Sequence, residues 1–204
     1  MDSVPFAFCD AVASTFQEIP QLDANLIAPW KSAFADHNTN RMKLSLLVSF
    51  EGGKWSCKAS KAPGCTHVYD YVSCDPGEVQ GTCRKYIYLQ RLIFDNNNWG
   101  SEISLNEIKS ILKFVRPCVG PSASLMLHET RAPKEATNAL LSLFSSAPFN
   151  RICLFGYEEA FEGLLREQIE LESLKDFFVD EDCHPRATIE LEAEFMRIQS
   201  TRSG

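Results

Sequence analysis

The chain has no apolar run of the roughly eighteen residues that a membrane-spanning helix needs. Its first twelve residues carry Asp2 and Asp10 and no basic stretch ahead of their apolar part, so a secretory signal is not expected. Histidine is scarce. His37, His67, His128 and His184 are scattered, and no Ser–His–Asp or Cys–His–Asp set with a recognisable signature surrounds them. There is no glycine-rich phosphate loop and no His-Glu-x-x-His pair. These absences remove the usual marks of catalysis, and the expectation is a non-enzymatic chain with no cofactor. His128 and Cys153 would approach each other on adjacent strands. A surface histidine beside a packed cysteine is preferred there to a catalytic dyad.

Basic residues are outnumbered, with 20 Lys and Arg against 27 Asp and Glu for a net charge of −7. The excess is concentrated. Between Tyr157 and Met196, thirteen acids face only Arg166, Lys175 and Arg186. Most of them are read as the solvated faces of two surface helices. Such a field repels phosphates, so neither nucleic acid nor an anionic membrane surface is expected as a partner.

Cysteine, by contrast, is plentiful, with eight in 204 residues. Without a signal sequence these are read as reduced thiols of an intracellular protein, in the cytoplasm or nucleus. Cys57, Cys65, Cys74 and Cys83 share one turn-rich stretch with His67, at gaps of seven, eight and eight residues. Structural zinc sites pair their ligands far more closely, so no metal is expected. A hydrophobic fraction of 45% is enough for a packed core.

What the second half does contain is a phrase written four times. The copies are Leu89-x-x-Leu92-x-Phe94-x-x-Asn97, Ser122-x-x-Leu125-x-Leu127, Phe149-x-x-Ile152-x-Leu154 and Leu174-x-x-Phe177-x-Val179, starting 33, 27 and 25 residues apart. Asn97 closes the strand motif of a leucine-rich repeat; Thr130, Tyr157 and Asp182 stand there in the later copies. Strands are predicted over 86–94, 124–128, 151–155 and 174–179. Each leads to a helical stretch: 104–115, with Ser104 and Glu107 as a capping box, then 133–144, 157–169 and 185–198. The apolar face of the last is expected at Ile189, Ala193 and Met196, with Leu191 beside them, and the tail from Gln199 should fray. Such units cover each other's apolar faces only when stacked.

The predicted fold is therefore α/β, a short leucine-rich-repeat-like β-α solenoid with parallel strands and helices on one side. A doubly wound sheet would alternate similarly. The repeated frame and the lack of a glycine-rich strand-to-helix turn favour the one-sided form.

Ahead of the array, residues 43–85 are read as a β-hairpin turning at Glu51-Gly52-Gly53-Lys54, then a Cys-containing loop from Ala59 to Arg84 with strand character only over 66–72. Residues 1–42 are read as a helical module. Its first helix, capped by Ser3, with Pro5 in its first turn and Pro20 at its end, has a buried stripe of Phe8, Val12 and Phe16 with Cys9 and Ala13. A second helix over 28–34 carries Trp30 and Phe34 ahead of a turn at Asn38–Asn40.

Strand side chains alternate, so the residues between the leucines should form rows across the opposite face. One row is polar: Arg91, Ser124, Arg151 and Asp176. The next is apolar: Ile93, Met126, Cys153 and Phe178. The third is mixed: Asp95, His128, Phe155 and Asp180. An apolar row rimmed by charge suits a protein partner. The alternative is that the 59–84 loop covers it.

The opening Met1-Asp2-Ser3-Val4-Pro5-Phe6-Ala7-Phe8-Cys9-Asp10-Ala11-Val12, with Trp30-Lys31 and the hairpin's Gly53-Lys54-Trp55, resembles nematode proteins of the F-box and F-box-associated type, and the likeness extends through the strand–helix units. The resemblance implies a substrate-recruiting subunit of a cullin ubiquitin ligase, docking a Skp-type adaptor through Val4, Pro5, Phe8, Val12 and Trp30. The chain departs from that family where Val4 replaces the usual Leu before the proline. It also has Val12-Ala13-Ser14-Thr15-Phe16 in place of an Ile-Leu-rich run, and it lacks the later leucine pair. An N-terminal cap over the first repeat is the competing role for residues 1–42, and a scaffold without a ligase link the competing function.

Overall fold

The structure, a computed structural model, describes residues 5–16, 27–63, 72–98, 100–180, 183 and 185–202. Pro5 sets the start of α1 (Phe6–Thr15), which packs on α2 (Ala28–Asn40). The buried face of α1 is Cys9 and Ala13, not the expected stripe of Phe8, Val12 and Phe16. Small residues let the two helices approach, and the rings turn outward. Phe8 is 55% exposed, its ring edge-on to Trp30 at 5.9 Å, and Phe16 leans on Phe34 at 5.4 Å. The turn expected at Asn38–Asn40 is helical instead. Asn40 Nδ2 donates to the Asp36 carbonyl at 3.0 Å and to its carboxylate at 2.7 Å, which holds the last turn. Ser3, Val4 and Pro20 lie outside the described residues.

Buried Arg41, just past α2, ties the two helices of this hairpin together. Its guanidinium donates to the carbonyls of Ala13, at 2.9 Å, and Phe16, at the C-terminal end of α1, where a cation is favoured. It also reaches His37 Nδ1 at 3.4 Å. An arginine only donates, so Nδ1 accepts, and the ring proton sits on Nε2, pointing at Asp10 Oδ1 3.0 Å away. Lys85 lies 3.3 Å from Asp10 and 3.5 Å from Asp36, and the Tyr86 hydroxyl donates to Asp36. That bond holds the Asp36 carboxyl below its ordinary value.

Gly52 and Gly53, both at positive φ (58° and 85°), turn β1 (Met42–Glu51) back onto β2 (Lys54–Pro63). The stretch expected as a loop from Ala59 to Arg84 is more ordered than that. β2 continues to Pro63, β3 (Val72–Cys74) pairs with it, and α3 (Pro76–Gly81) follows. The start of α3 was written in plain signals, with Asp75 accepting from Gly77 N at 2.7 Å and Pro76 in the first turn. The strand predicted over 66–72 falls mostly outside the described residues, as do Cys65 and His67.

Next come β4 (Ile87–Asp95), the short β5 (Ser101–Glu102), α4 (Leu105–Val115), β6 (Val119–Leu127) and α5 (Lys134–Leu141). β7 (Arg151–Leu154), α6 (Glu162–Glu170), β8 (Asp176–Val179) and α7 (Pro185–Arg202) complete the chain. The capping box at α4 is formed in both directions. Glu107 N donates to Ser104 Oγ at 3.2 Å, and Ser104 N to the Glu107 carboxylate at 2.8 Å. Ser104→Ala should cost about 1 kcal/mol, read as a lower midpoint in urea at unchanged slope.

These strands form an eight-stranded open sheet in the order β3-β2-β1-β4-β6-β7-β8, with β5 on β2. β1, β4, β6, β7 and β8 are parallel, so the protein is mixed α/β with a mostly parallel sheet. Each parallel crossover advances the same way along the sheet. Crossovers of the usual right hand would carry the helical connections between parallel strands over the same face. One buried cluster accordingly joins Leu46, Leu92, Phe94, Leu125, Leu127, Ile152 and Leu154 from the strands to Ile108, Leu112, Leu140, Leu165 and Leu191 from the helices.

The last helix differs from expectation. Thr188, Leu191 and Phe195 face inward, Phe195 meeting Phe177 at 5.7 Å, while Ile189 and Met196 are 61% and 60% exposed. Both sets share the helical period, and the aromatic took the core. The helix also runs past Gln199, tied by Gln199 Nε2 to the Leu174 carbonyl at 2.9 Å and by Arg202 to that of Leu171 at 3.1 Å.

Candidate functional site

With its leucines turned toward the helices, each strand shows its intervening residues on the other face. The register aligns Arg91, Ser124, Arg151 and Asp176 in one row across β4, β6, β7 and β8. Ile93, Met126, Cys153 and Phe178 form the next, which Leu47 extends onto β1. The third begins at Asp95 and continues past the strand ends. There the amides of His128, Phe155 and Asp180 donate to Phe94, Leu127 and Leu154 carbonyls at 2.8–2.9 Å. All twelve residues of the three predicted rows are thus brought to one surface, two residues apart along each strand.

Phe178 is 47% exposed at the centre of the outermost parallel strand. Its ring lies 5.8 Å from that of Phe155, on which His128 stacks at 4.7 Å and 15°. Arg151 Nε pairs with Asp176 at 2.6 Å. Burial pushes the Cys153 thiol above its ordinary value despite nearby Arg151, the opposite of an activated nucleophile. A shallow depression of about 440 Å³ opens between β4, β6 and β7, bounded by Arg91, Ser124, Asn150 and Arg151. A smaller hollow of about 260 Å³ continues the surface over Ser45, Leu47, Lys58, Ser60 and Ile93. At the hairpin end the same side closes, where buried Ser49 and Ser56 share a hydrogen bond at 2.6 Å.

The rim beside the third row is held by a clasp that pattern reasoning missed. The Glu158 carboxylate accepts from Thr130 N, from Thr130 Oγ1 at 2.9 Å and from Arg131 N at 2.7 Å, with Arg131 at φ 55°. Glu158 is one of the thirteen acids between Tyr157 and Met196, and no sequence spacing links it to Thr130. Asp95 accepts from Asn96 N and Asn97 N and from the Asn97 side chain, so Asn97 braces its own turn.

On the helical hairpin, Pro5 and Phe8 are exposed, while Val12 and Trp30 are half-buried. Val4 lies outside the described residues. Of the four cysteines weighed for zinc, Cys57 is buried, its thiol pushed up to about 12 by desolvation, Cys74 is half-buried on β3 and Cys83 is exposed. Among the described residues, no group of three or more His, Cys, Asp and Glu is placed to hold a metal, and no helix is long and apolar enough to cross a membrane. The chain matches no family model, no curated protein and no solved structure.

Proposed function

We propose that this chain is a non-enzymatic interaction protein, a short leucine-rich-repeat-like array whose open sheet face receives a protein partner. The observation that carries this is the apolar row Leu47–Ile93–Met126–Cys153–Phe178, lying opposite the buried cluster that takes the helices, with charged side chains on both sides. Monomeric proteins seldom leave such a patch uncovered without a use for it. The raised Cys153 thiol and the stacking of His128 on Phe155 also favour binding over catalysis.

Phe178→Glu, and separately Met126→Glu, should abolish capture of the partner while leaving circular dichroism and the unfolding midpoint close to wild type. Phe178 is solvent-facing, so its replacement buries no charge. A variant that folds normally and still retains the partner would refute the proposal.

A second reading concerns the helical hairpin, where Phe6, Phe8 and Ile27 are 45%, 55% and 46% exposed. Large apolar side chains on a two-helix module suit docking of a Skp-type adaptor, as the F-box resemblance implies. Co-purification with such an adaptor, lost on Phe8→Asp, supports that reading; failure of the unmodified chain to retain the adaptor removes it.

A further inference from the structure

We infer that the chain pairs with a second copy of itself at the β8 end of the sheet, β8 against β8 and α7 against α7 about a two-fold axis. Two features meet at that end. Among the described residues, no strand pairs with the outer edge of β8. Asp176 and Asp180 donate their amides inward, to the Asn150 and Leu154 carbonyls at 3.2 and 2.8 Å. The alternating backbone therefore turns the N–H and C=O of Phe177 and Val179 outward. Beside this edge, α7 carries Ile189 and Met196 at 61% and 60% exposure, where the last helix of a stacked array normally presents a polar face. Glu194 marks the side of α7 that meets α6, through Arg166 at 3.1 Å. Ile189 and Met196 stand about 140° and about 160° round the helix from it, facing away from α6 on the side where β8 is open.

The edge and the stripe are self-complementary, which selects a second copy as the occupant. An antiparallel β8 from that copy sets Phe177 opposite Val179 in both directions, so the outward groups exchange hydrogen bonds. The same register places the two Phe178 rings side by side on the open face. Arg151, 2.6 Å from Asp176, offsets the repulsion between Asp176 and Asp180 of the second copy. On the helical side the two α7 helices run antiparallel. With the axis passing between Glu192 and Ala193, Ile189 of each lies over Met196 of the other, and the Ala193 methyl lets the helices approach. Glu190 and Arg197 are exposed on the flank of α7 opposite Phe195 and Gln199, the residues that meet the β8 side. Across the axis, Glu190 of each copy comes within about 3 Å of level with Arg197 of the other. That pairing of opposite charges is made twice.

The size of this end face fits a reversible dimer. α7 has 18 residues and is about 27 Å long, and one helix layer on one sheet layer is about 20 Å deep. Each copy then contributes roughly 540 Å², about 1,100 Å² in all, at the lower limit of a specific interface. A two-fold contact closes on itself, so both β8 edges are covered and no filament grows from them. Pairing at this end is independent of a partner on the open face, since Ile189, Glu190, Met196 and Arg197 all lie on the helical side.

Sedimentation of the full chain across a concentration series tests this. The unmodified chain should show a reversible monomer–dimer equilibrium. Ile189→Glu and, separately, Met196→Glu should weaken the dimer at least about tenfold with circular dichroism unchanged, since both positions are exposed in the single copy. Arg197→Glu should weaken it about fivefold, and Glu190→Arg combined with Arg197→Glu should restore it to within about twofold. A chain still monomeric at about 1 mM, where even a millimolar Kd leaves a large dimer fraction, overturns the inference. So does a dimer indifferent to Ile189→Glu, a charge swap that fails to restore pairing, or an oligomer that grows without limit. Phe178 is left unaltered throughout, so loss of the dimer and loss of a partner on the open face are read separately.

Discussion

Gln168→Glu is expected to destabilise the fold by about 4 kcal/mol at neutral pH, about twice the loss from Gln168→Leu. Gln168 is fully buried on α6, and the two hydrogens of its Nε2 are shared among the carbonyls of Phe144, Ser145 and Ala147 at 3.0, 2.9 and 2.9 Å. One side-chain amide thus ties down the turn that carries the chain from α5 into β7. Two of those carbonyls also accept from backbone amides, Phe144 from Ala147 N and Ala147 from Phe149 N, both at 2.9 Å. Leucine therefore removes only part of each carbonyl's bonding, for about 2 kcal/mol. Glutamate points a carboxylate at three acceptors in a buried site, a charge with no donor facing it. Its folded-state pKa would rise above the unfolded value near about 4.3. The folded form then binds the extra proton more tightly, so the deficit is full at pH above that raised value and shrinks as pH falls toward the unfolded one. Urea unfolding at pH 7 and pH 4.5 checks the sign. A Gln168→Glu deficit that does not shrink at the lower pH would remove the amide from its assigned role.

Gly156→Ala should cost about 3 kcal/mol and loosen the rim of the open face. A Cβ at Gly156 would lie 2.6 Å from Glu129 N and 3.2 Å from its Cα, and backbone cannot swing aside as a side-chain tip can. The 129–131 segment would have to move, and with it the bonds that Glu158 accepts from Thr130 and Arg131. Overpacking accounts for about 1–3 kcal/mol and lost charge-assisted bonds for the remainder. The two effects share one loop, so Gly156→Ala should cost at least about 1 kcal/mol less when Glu158 is already alanine. Simple additivity in that double-mutant cycle would show that the clasp and the close approach are independent. The His128 and Phe155 ring resonances should shift in the single variant, because their stack begins where the displaced segment does.

The repeated frame of leucines carried most of the architecture in readable form. A strict alternation around Leu92, Leu125 and Ile152 determines which residues face inward, and the rows on the other side follow from the pleat. The capping box at Ser104 and the Gly52-Gly53 turn were equally plain, being local chemistry. Helix faces proved harder. On α1 and α7 two apolar stripes share the helical period, and the choice between Cys9 and Phe8, or Phe195 and Met196, is made by the neighbouring surface rather than by spacing. The rim clasp was hidden for a different reason, since Glu158 and Thr130 are 28 residues apart and meet only through the parallel pairing of β6 and β7. Gln168 did leave a trace. It stands within the apolar stripe of Leu164, Leu165 and Ile169, where an amide calls for buried partners.

The order β1-β4-β6-β7-β8 bears on how the chain is made as well as how it stands. Synthesis runs from the N-terminus, and every one of these strands after β1 finds its earlier neighbour already in place when it emerges. None must wait with an exposed edge for a strand inserted later between two others. A nascent chain can therefore grow its sheet one strand at a time, in step with the ribosome. Chains stalled after β6 and after β7 should show successively longer protected cores in limited proteolysis, rather than a single late collapse.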